Sequence, residues 1–182
     1  MTRTAIAQRL FEFDLRLFER IFRRAHGRPL ETAVTLVSRS ADGPLYAVVA
    51  MFAAITGGPA GRIFALACLA AFALERPLYK LLKQGFRRRR PCFLLGNVRH
   101  RLPPPDVYSF PSGHTSGAFA FALLAASFCP AAAPPLLLWA AGVAYSRIYL
   151  GVHFPADTIA GALIGGGCAH LALRLLAAGG LA

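Results

Sequence analysis

Residues 111–128 read PSGHTSGAFAFALLAASF, a proline, a small polar mouth containing one histidine, and then a body of Ala, Phe and Leu. The stretch reads as a helix entered through Pro111, with an apolar body and polar residues at its start. Four more apolar blocks surround it, at 31–56, 61–82, 135–149 and 155–176. The first turns at Gly57-Gly58-Pro59, and its early part carries Arg39 and Asp42. The second holds Glu75, Arg76 and Pro77 in its later half; the two charges are adjacent, so they point to different faces and are not expected to pair. A membrane-crossing helix needs about 20 residues. Several blocks have apolar cores nearer a dozen, but five of them separated by Pro/Gly turns fit a helical bundle in a bilayer better than a soluble core. Gly161 and Gly165 form a small-xxx-small pair that permits close helix contact.

Composition agrees. The chain has 182 residues, which suits one domain, and is 56% hydrophobic with a mean hydropathy of +0.51. That apolar share exceeds the soluble norm and excludes disorder, despite 17 Gly and 13 Pro. Twenty basic residues against 8 acidic ones give a net charge of +12. Such an excess suits nucleic acid, anionic lipid or a phosphate-bearing substrate. The runs of Leu, Ala and Phe disfavour nucleic acid, which leaves the membrane bilayer and phosphate as partners. The four cysteines match neither a zinc site nor a disulfide framework; Cys68, Cys129 and Cys168 read as small core residues, and Cys92 falls in a basic loop. No cleavable signal is expected, because the first apolar stretch is studded with charge.

Residues 5–24 place Ile6, Leu10, Phe13, Leu17 and Ile21 at helical spacing among Arg9, Glu12, Arg16, Glu19, Arg20, Arg23 and Arg24. A helix with Arg on one face and Phe and Leu on the other fits the lipid–water interface. The expected organisation is therefore an amphipathic interfacial helix within 1–30 and a membrane domain over 31–178. The fold class is all-α, an integral-membrane bundle of about five spanning helices. Between the second and third spans lies a loop at 83–110 with Lys83, Arg87, Arg88, Arg89, Arg90, Arg99 and Arg101. These cations either steer anionic headgroups or hold the loop at the lipid surface.

The polar residues at the ends of the spans decide the chemistry. Lys83 and Arg90-Pro91 follow the second span, Pro111 to His114 open the third, Ser146-Arg147 close the fourth, and His153 and Asp157 open the fifth. If the helices alternate direction, all of these fall on one membrane face. Lys83, Arg90 and Arg147 supply positive charge for a phosphoryl group. Ser112 and Gly113 sit where a helix begins, and free N–H groups there favour an anion. His153 can attack phosphorus, His114 can protonate the leaving oxygen, and Asp157 can orient the His153 ring. His26, His100 and His170 match no such position.

Lys83-(six residues)-Arg90-Pro91, Pro111-Ser112-Gly113-His114 and Ser146-Arg147-(five residues)-His153-(three residues)-Asp157 together resemble the three-part signature of the type-2 phosphatidic acid phosphatase family, complete in residue type, spacing and order. The resemblance covers roughly residues 30–178. It implies a lipid phosphatase with no metal and no cofactor. Lys83, Arg90, Ser112, Gly113 and Arg147 would bind phosphate, with His114 the acid, His153 the nucleophile and Asp157 its partner. The charged helix at 5–24 stands where larger members have a first spanning helix; short bacterial members, some of them undecaprenyl-pyrophosphate phosphatases, look similar. Vanadium haloperoxidases share the signature but are soluble. A non-enzymatic anionic-lipid binder would explain the charge, but not His114, His153 and Asp157 in register. The expected location is a bacterial-type inner (plasma) membrane. With five spans, the positive-inside rule puts the N-terminal arginines and the active loop in the cytoplasm. A spanning first helix, or likeness to relatives that recycle polyprenyl pyrophosphate outside, would reverse that face.

Overall fold

The computed structural model describes residues 3–23, 28–96, 98, 101–104 and 106–180; Arg24, His26, Arg99, His100 and Pro105 lie outside the described residues. Among the described residues the chain is helical, without named strands. The elements are α1 (Arg3–Phe22), α2 (Arg28–Arg39), α3 (Gly43–Thr56), α4 (Gly58–Phe86), α5 (Pro91–Leu94), α6 (Gly113–Phe128), α7 (Ala133–Tyr149) and α8 (Pro155–Ala178), with a 3-10 turn at Pro130–Ala132 before α7.

The block at 31–56, expected as one span, is two helices. The chain breaks at Ser40-Ala41-Asp42, because Asp42 takes an extended conformation and Pro44 sits in the first turn of α3. Proline fits the first turn of a helix, where its missing N–H costs nothing, and disfavours helical backbone just before it. The break is pinned from both sides: Ser40 Oγ donates to Val37 O at 2.7 Å, and Trp139 Nε1 donates to Ser40 Oγ at 2.8 Å.

α4 has 29 residues and carries Pro77 inside it. It runs past the expected end at Leu82, so Lys83 is in its last turn and the loop begins at Arg87. There the backbone turns left-handed (φ 47°), and the Arg87 N–H bonds back to Lys83 O. Glu75 and Arg76 do approach, contrary to expectation: Arg76 Nε lies 3.3 Å from Glu75 Oε2, because the long arginine folds back over its neighbour. Cys129 is also not a core residue. It ends α6 at the rim of the bundle and is exposed, whereas Cys68 and Cys168 are buried.

The bundle packs through small residues. One core cluster joins Ala50 of α3, Ala67 and Ala71 of α4, Leu124 of α6, and Ala169 and Ala172 of α8. α6 and α8 share the most extensive contact. A Cβ added to Gly161 would stand 2.5 Å from Ser112 O, and one added to Gly165 would stand 2.0 Å from Ser116 O. Only glycine allows that approach. Many larger apolar side chains point outward, among them Phe52, Ile55, Leu69, Leu138 and Leu163, each at least 66% exposed. A belt of this kind suits lipid contact rather than water. α4 and α8 are long and apolar enough to cross a membrane; α3 is apolar but has 14 residues, about 21 Å at 1.5 Å per residue.

Gly165→Leu is expected to lower the melting temperature in detergent by about 5–10 °C, because overpacking costs about 1–3 kcal/mol and here the obstacle is backbone. Gly167, with nothing near its Cβ direction, is the control: Gly167→Ala should melt like the parent. Equal melting of Gly165→Leu and the parent would contradict the packing described.

Candidate active site

The mouth of the bundle is built from helix ends. The Ser112 N–H donates to Asp157 O at 3.0 Å, which ties the start of α6 to the first turn of α8. The N–H groups of Val152 and His153 both point to Arg147 O, at 3.2 and 3.3 Å, and fold the Leu150–Phe154 loop back onto the end of α7. Residues 88–90 run extended beside 107–109: the Ser109 N–H donates to Arg88 O at 2.7 Å and the Arg90 N–H to Val107 O at 3.2 Å. Alternate side chains of an extended segment face opposite ways. Arg88 and Arg90 accordingly turn inward, while Arg87 and Arg89 are exposed.

Arg90, Gly113, His114, Arg147 and His153 line one cavity of about 210 Å³, together with Asp42, Arg76 and Tyr79. Arg90 is 1% exposed, and each of its three guanidinium nitrogens has a partner. Its Nη1 reaches Val152 O at 3.0 Å and His153 Nε2 at 2.9 Å, its Nε reaches Asp106 O at 2.7 Å, and its Nη2 reaches Asp106 Oδ1 at 2.8 Å. A guanidinium only donates, so His153 Nε2 accepts and the ring proton lies on Nδ1. Nδ1 faces Asp157 Oδ2 at 3.8 Å, an ion-pair distance rather than a hydrogen bond. Apo catalytic hydrogen bonds are often this long. Burial holds the His153 imidazole well below its usual pKa, and the charges of Arg90, Arg147 and Lys83 push it the same way. The ring is therefore neutral, with a free electron pair at Nε2 once Arg90 moves off it.

Three expected residues stand behind the cavity wall. Asp157 is wholly buried, as is Ser112, whose hydroxyl caps α6 by accepting from Thr115 N at 3.5 Å. With its N–H on Asp157 O and its hydroxyl on Thr115, Ser112 holds the two helices together; Gly113 is the member of that pair on the cavity. Lys83 is held by Asp106 at 2.8 Å and donates to the Tyr79 hydroxyl. Burial pushes the Asp106 carboxyl up, but hydrogen bonds and charge from Lys83 and Arg90 outweigh it, so the group lies below the usual carboxylate range. The Asp106 carboxylate thus sits across two of the cations assigned to phosphate.

Several partners had no signal in the sequence reading. Asp42, at the α2–α3 break, accepts from His114 Nε2 at 3.0 Å; a carboxylate accepts, so this histidine nitrogen carries a proton. The Asp42 side chain makes no cap bond to its own helix, although its carbonyl accepts from the Leu45 N–H at 3.1 Å and Asp-Gly-Pro is a readable helix start. Ser38 of α2 receives Arg147 Nη1 at 2.6 Å. Arg101 does not face the cavity. It joins the ends of α1, α2 and α7, through Phe22 O, Glu31 and Tyr149 O. His170 is exposed and remote from the site.

Beside this cavity a larger apolar groove of about 700 Å³ lies between α3 and α4, lined by Ala47, Ala50, Met51, Leu69 and Phe72 among others. Gly43 and Arg76 border both spaces.

The chain is 29% identical to an undecaprenyl-diphosphatase of Sulfolobus acidocaldarius, over 65% of this chain and 58% of that protein. It thus spans little more than half the length of that relative. The crystal structure of Aquifex aeolicus LpxE superposes with a TM-score of 0.77 and 31% identity, covering 88% of this chain and 94% of that one. A transmembrane PAP2 type phosphatidylglycerolphosphate phosphatase from Bacillus subtilis shares the fold, with a TM-score of 0.72 and 22% identity over 91% and 85% of the two chains. The PAP2 superfamily profile matches residues 61–179, which hold every motif residue named above, and the chain belongs to that superfamily.

Proposed function

We propose that the chain is an integral-membrane phosphatase that hydrolyses a lipid phosphate or pyrophosphate through a phosphohistidine on His153, with no metal. The substrate class is phosphatidic acid, phosphatidylglycerol phosphate or a polyprenyl pyrophosphate. The observation that carries this reading is the convergence of Arg90, Arg147, His114 and His153 on one small polar cavity beside an apolar groove. The groove suits a lipid chain, and the cavity suits a phosphate head.

In the proposed reaction the phosphate displaces the Asp106 carboxylate from Lys83 and Arg90. Arg90 then donates to phosphate oxygen instead of to His153 Nε2. Arg147 and the free Gly113 N–H complete the anion site. His153 Nε2 attacks phosphorus, and the bond to the leaving oxygen breaks. His114 gives its Nε2 proton to that oxygen. Asp157 steadies the positive charge on the His153 ring. His114 next takes a proton from water, which attacks phosphorus, breaks the P–N bond and releases phosphate. The fixed guanidinium groups supply the charge neutralisation that a divalent ion supplies elsewhere.

For the architecture, we propose that α3, α4, α6, α7 and α8 cross the bilayer and that α1 lies in the interface. The anchor is then the segment 1–30 and the membrane domain 31–178, with α2 beginning at Arg28. α1, α2, the active loop and the start of α3 share one face. Arg9, Arg16, Arg20 and Arg23 on that side, against Arg62 and Arg174 at the other ends of the bundle, favour the cytoplasm.

His153→Ala should abolish phosphate release from a lipid phosphate in detergent, and His114→Ala should lower kcat by about 10²–10⁴-fold. Asp157→Asn should cost less. EDTA should leave the rate unchanged, and orthovanadate should inhibit, more tightly in Asp106→Asn than in the parent. Full activity of folded His153→Ala, or an EDTA loss restored by a divalent ion, would contradict the mechanism.

Cys92 follows Arg90-Pro91 and is half-buried, so it reports the face of the loop. With Cys68, Cys129 and Cys168 replaced, a membrane-impermeant maleimide should label Cys92 only after cells are permeabilised. Labelling in intact cells would place the site outside.

A further inference from the structure

Arg88 is inward-facing and absent from the mechanism above. Its guanidinium lies between two carboxylates: Nη2 donates to Asp14 Oδ2 at 2.6 Å and Nη1 to Asp157 Oδ1 at 2.8 Å. Asp14 belongs to α1 and is only 6% exposed. Its other oxygen accepts from the Ala156 N–H at 2.8 Å. That N–H is in the first turn of α8, where a helix has no partner of its own to offer. Asp14 therefore holds both Arg88 and the α8 turn that carries Asp157.

The guanidinium is also fixed from its face, 4.1 Å over the Phe154 ring, and Phe154 packs against Phe18 of α1 at 5.4 Å between centroids. Phe18 and Phe154 are fully buried. On the other side, Asp157 Oδ2 accepts from the Phe154 N–H at 2.8 Å. Both Asp157 oxygens are thus held by donors other than His153. The carboxylate plane is set by Arg88 and Phe154, and that plane decides whether Oδ2 meets His153 Nδ1. Short charge-assisted bonds of this kind are directional as well as strong.

We infer that Asp14 and Arg88 are positioning residues for the His153–Asp157 pair, so that α1 is part of the catalytic apparatus and not only a membrane anchor. The inference rests on the phosphatase reading of the site. Losing Arg88 frees the Asp157 carboxylate to rotate and strips its buried charge of a partner. Losing the Asp14 charge loosens Arg88 and the first turn of α8 together.

The test is steady-state kinetics of the full chain on two probes, dioleoyl phosphatidic acid in detergent micelles and water-soluble p-nitrophenyl phosphate. Asp14→Asn, Arg88→Ala and Arg88→Lys are measured alone and combined with Asp157→Asn, with melting curves for each. Asp14→Asn and Arg88→Ala should lower kcat roughly tenfold or more on both probes, a factor like that for the outer partners of metal-bound histidines, with KM little changed. Arg88→Lys, which keeps the charge, should recover part of kcat. In the Asp157→Asn background the same changes should cost less than about twofold, because residues acting as one unit are not additive. A loss confined to KM would make Arg88 a headgroup ligand. A loss confined to micelles would make α1 an anchor only. Losses that multiply in the Asp157→Asn background would make the contacts merely structural. Each of these overturns the inference. A parent that releases phosphate from neither probe would instead sink the phosphatase reading, whereas an active parent matched by its Asp14 and Arg88 variants would sink only this inference.

Discussion

The site depends on the backbone contact between α6 and α8. Gly161 and Gly165 let the two helices touch where any side chain would collide with Ser112 O or Ser116 O. In a bilayer no hydrophobic force draws helices together, so close van der Waals contact between small residues takes that part. The contact brings the start of α6 against the start of α8, and the Ser112 N–H to Asp157 O bond fixes their register. His114 of α6 and His153, just before α8, line one cavity because of that register. A slip of one turn, about 5.4 Å, would move them out of reach of a common phosphorus atom.

The second constraint is electrostatic. Arg90 and Arg147 are almost fully buried beside a buried histidine. Unpaired cations there would be costly. The protein answers with acceptors from distant parts of the chain: Asp106 and Val152 O for Arg90, Ser38 for Arg147, and Asp42 beside His114. In the proposed mechanism Asp106 and Asp42 are also the groups an incoming phosphate displaces or adjoins. Burial first, and then the same positive field, keep His153 neutral, so in the proposed mechanism the charges that bind phosphate also help ready the nucleophile.

The sequence carried the site in three short segments because each segment closes or opens a helix, and helices put such ends on a common face. The ends themselves are written in Pro111, Pro155 and the Gly57-Gly58-Pro59 turn. The Asp42-Gly43-Pro44 break was equally readable, yet the surrounding apolar residues argued for one continuous span. The inward and outward alternation of Arg88 to Arg90 required knowing that this segment is extended. The carboxylates other than Asp157 were not legible as partners of the site. Asp14, Asp42 and Asp106 are single residues in unremarkable contexts, and Asp14 meets Arg88 across 74 positions of sequence. No local periodicity encodes a contact at that range. The outward fate of Cys129 likewise turned on where α6 stops.

The central claim is a covalent phosphoryl transfer to His153, and the direct measurement is capture of that intermediate. The full chain is mixed with a lipid phosphate carrying labelled phosphorus, quenched in alkali during turnover, and its peptides are mapped. A phosphoramidate withstands alkali and is lost in acid. The account predicts acid-labile label on His153 and none in His153→Ala. Label on another residue, or phosphate release during turnover with no labelled protein, would contradict it.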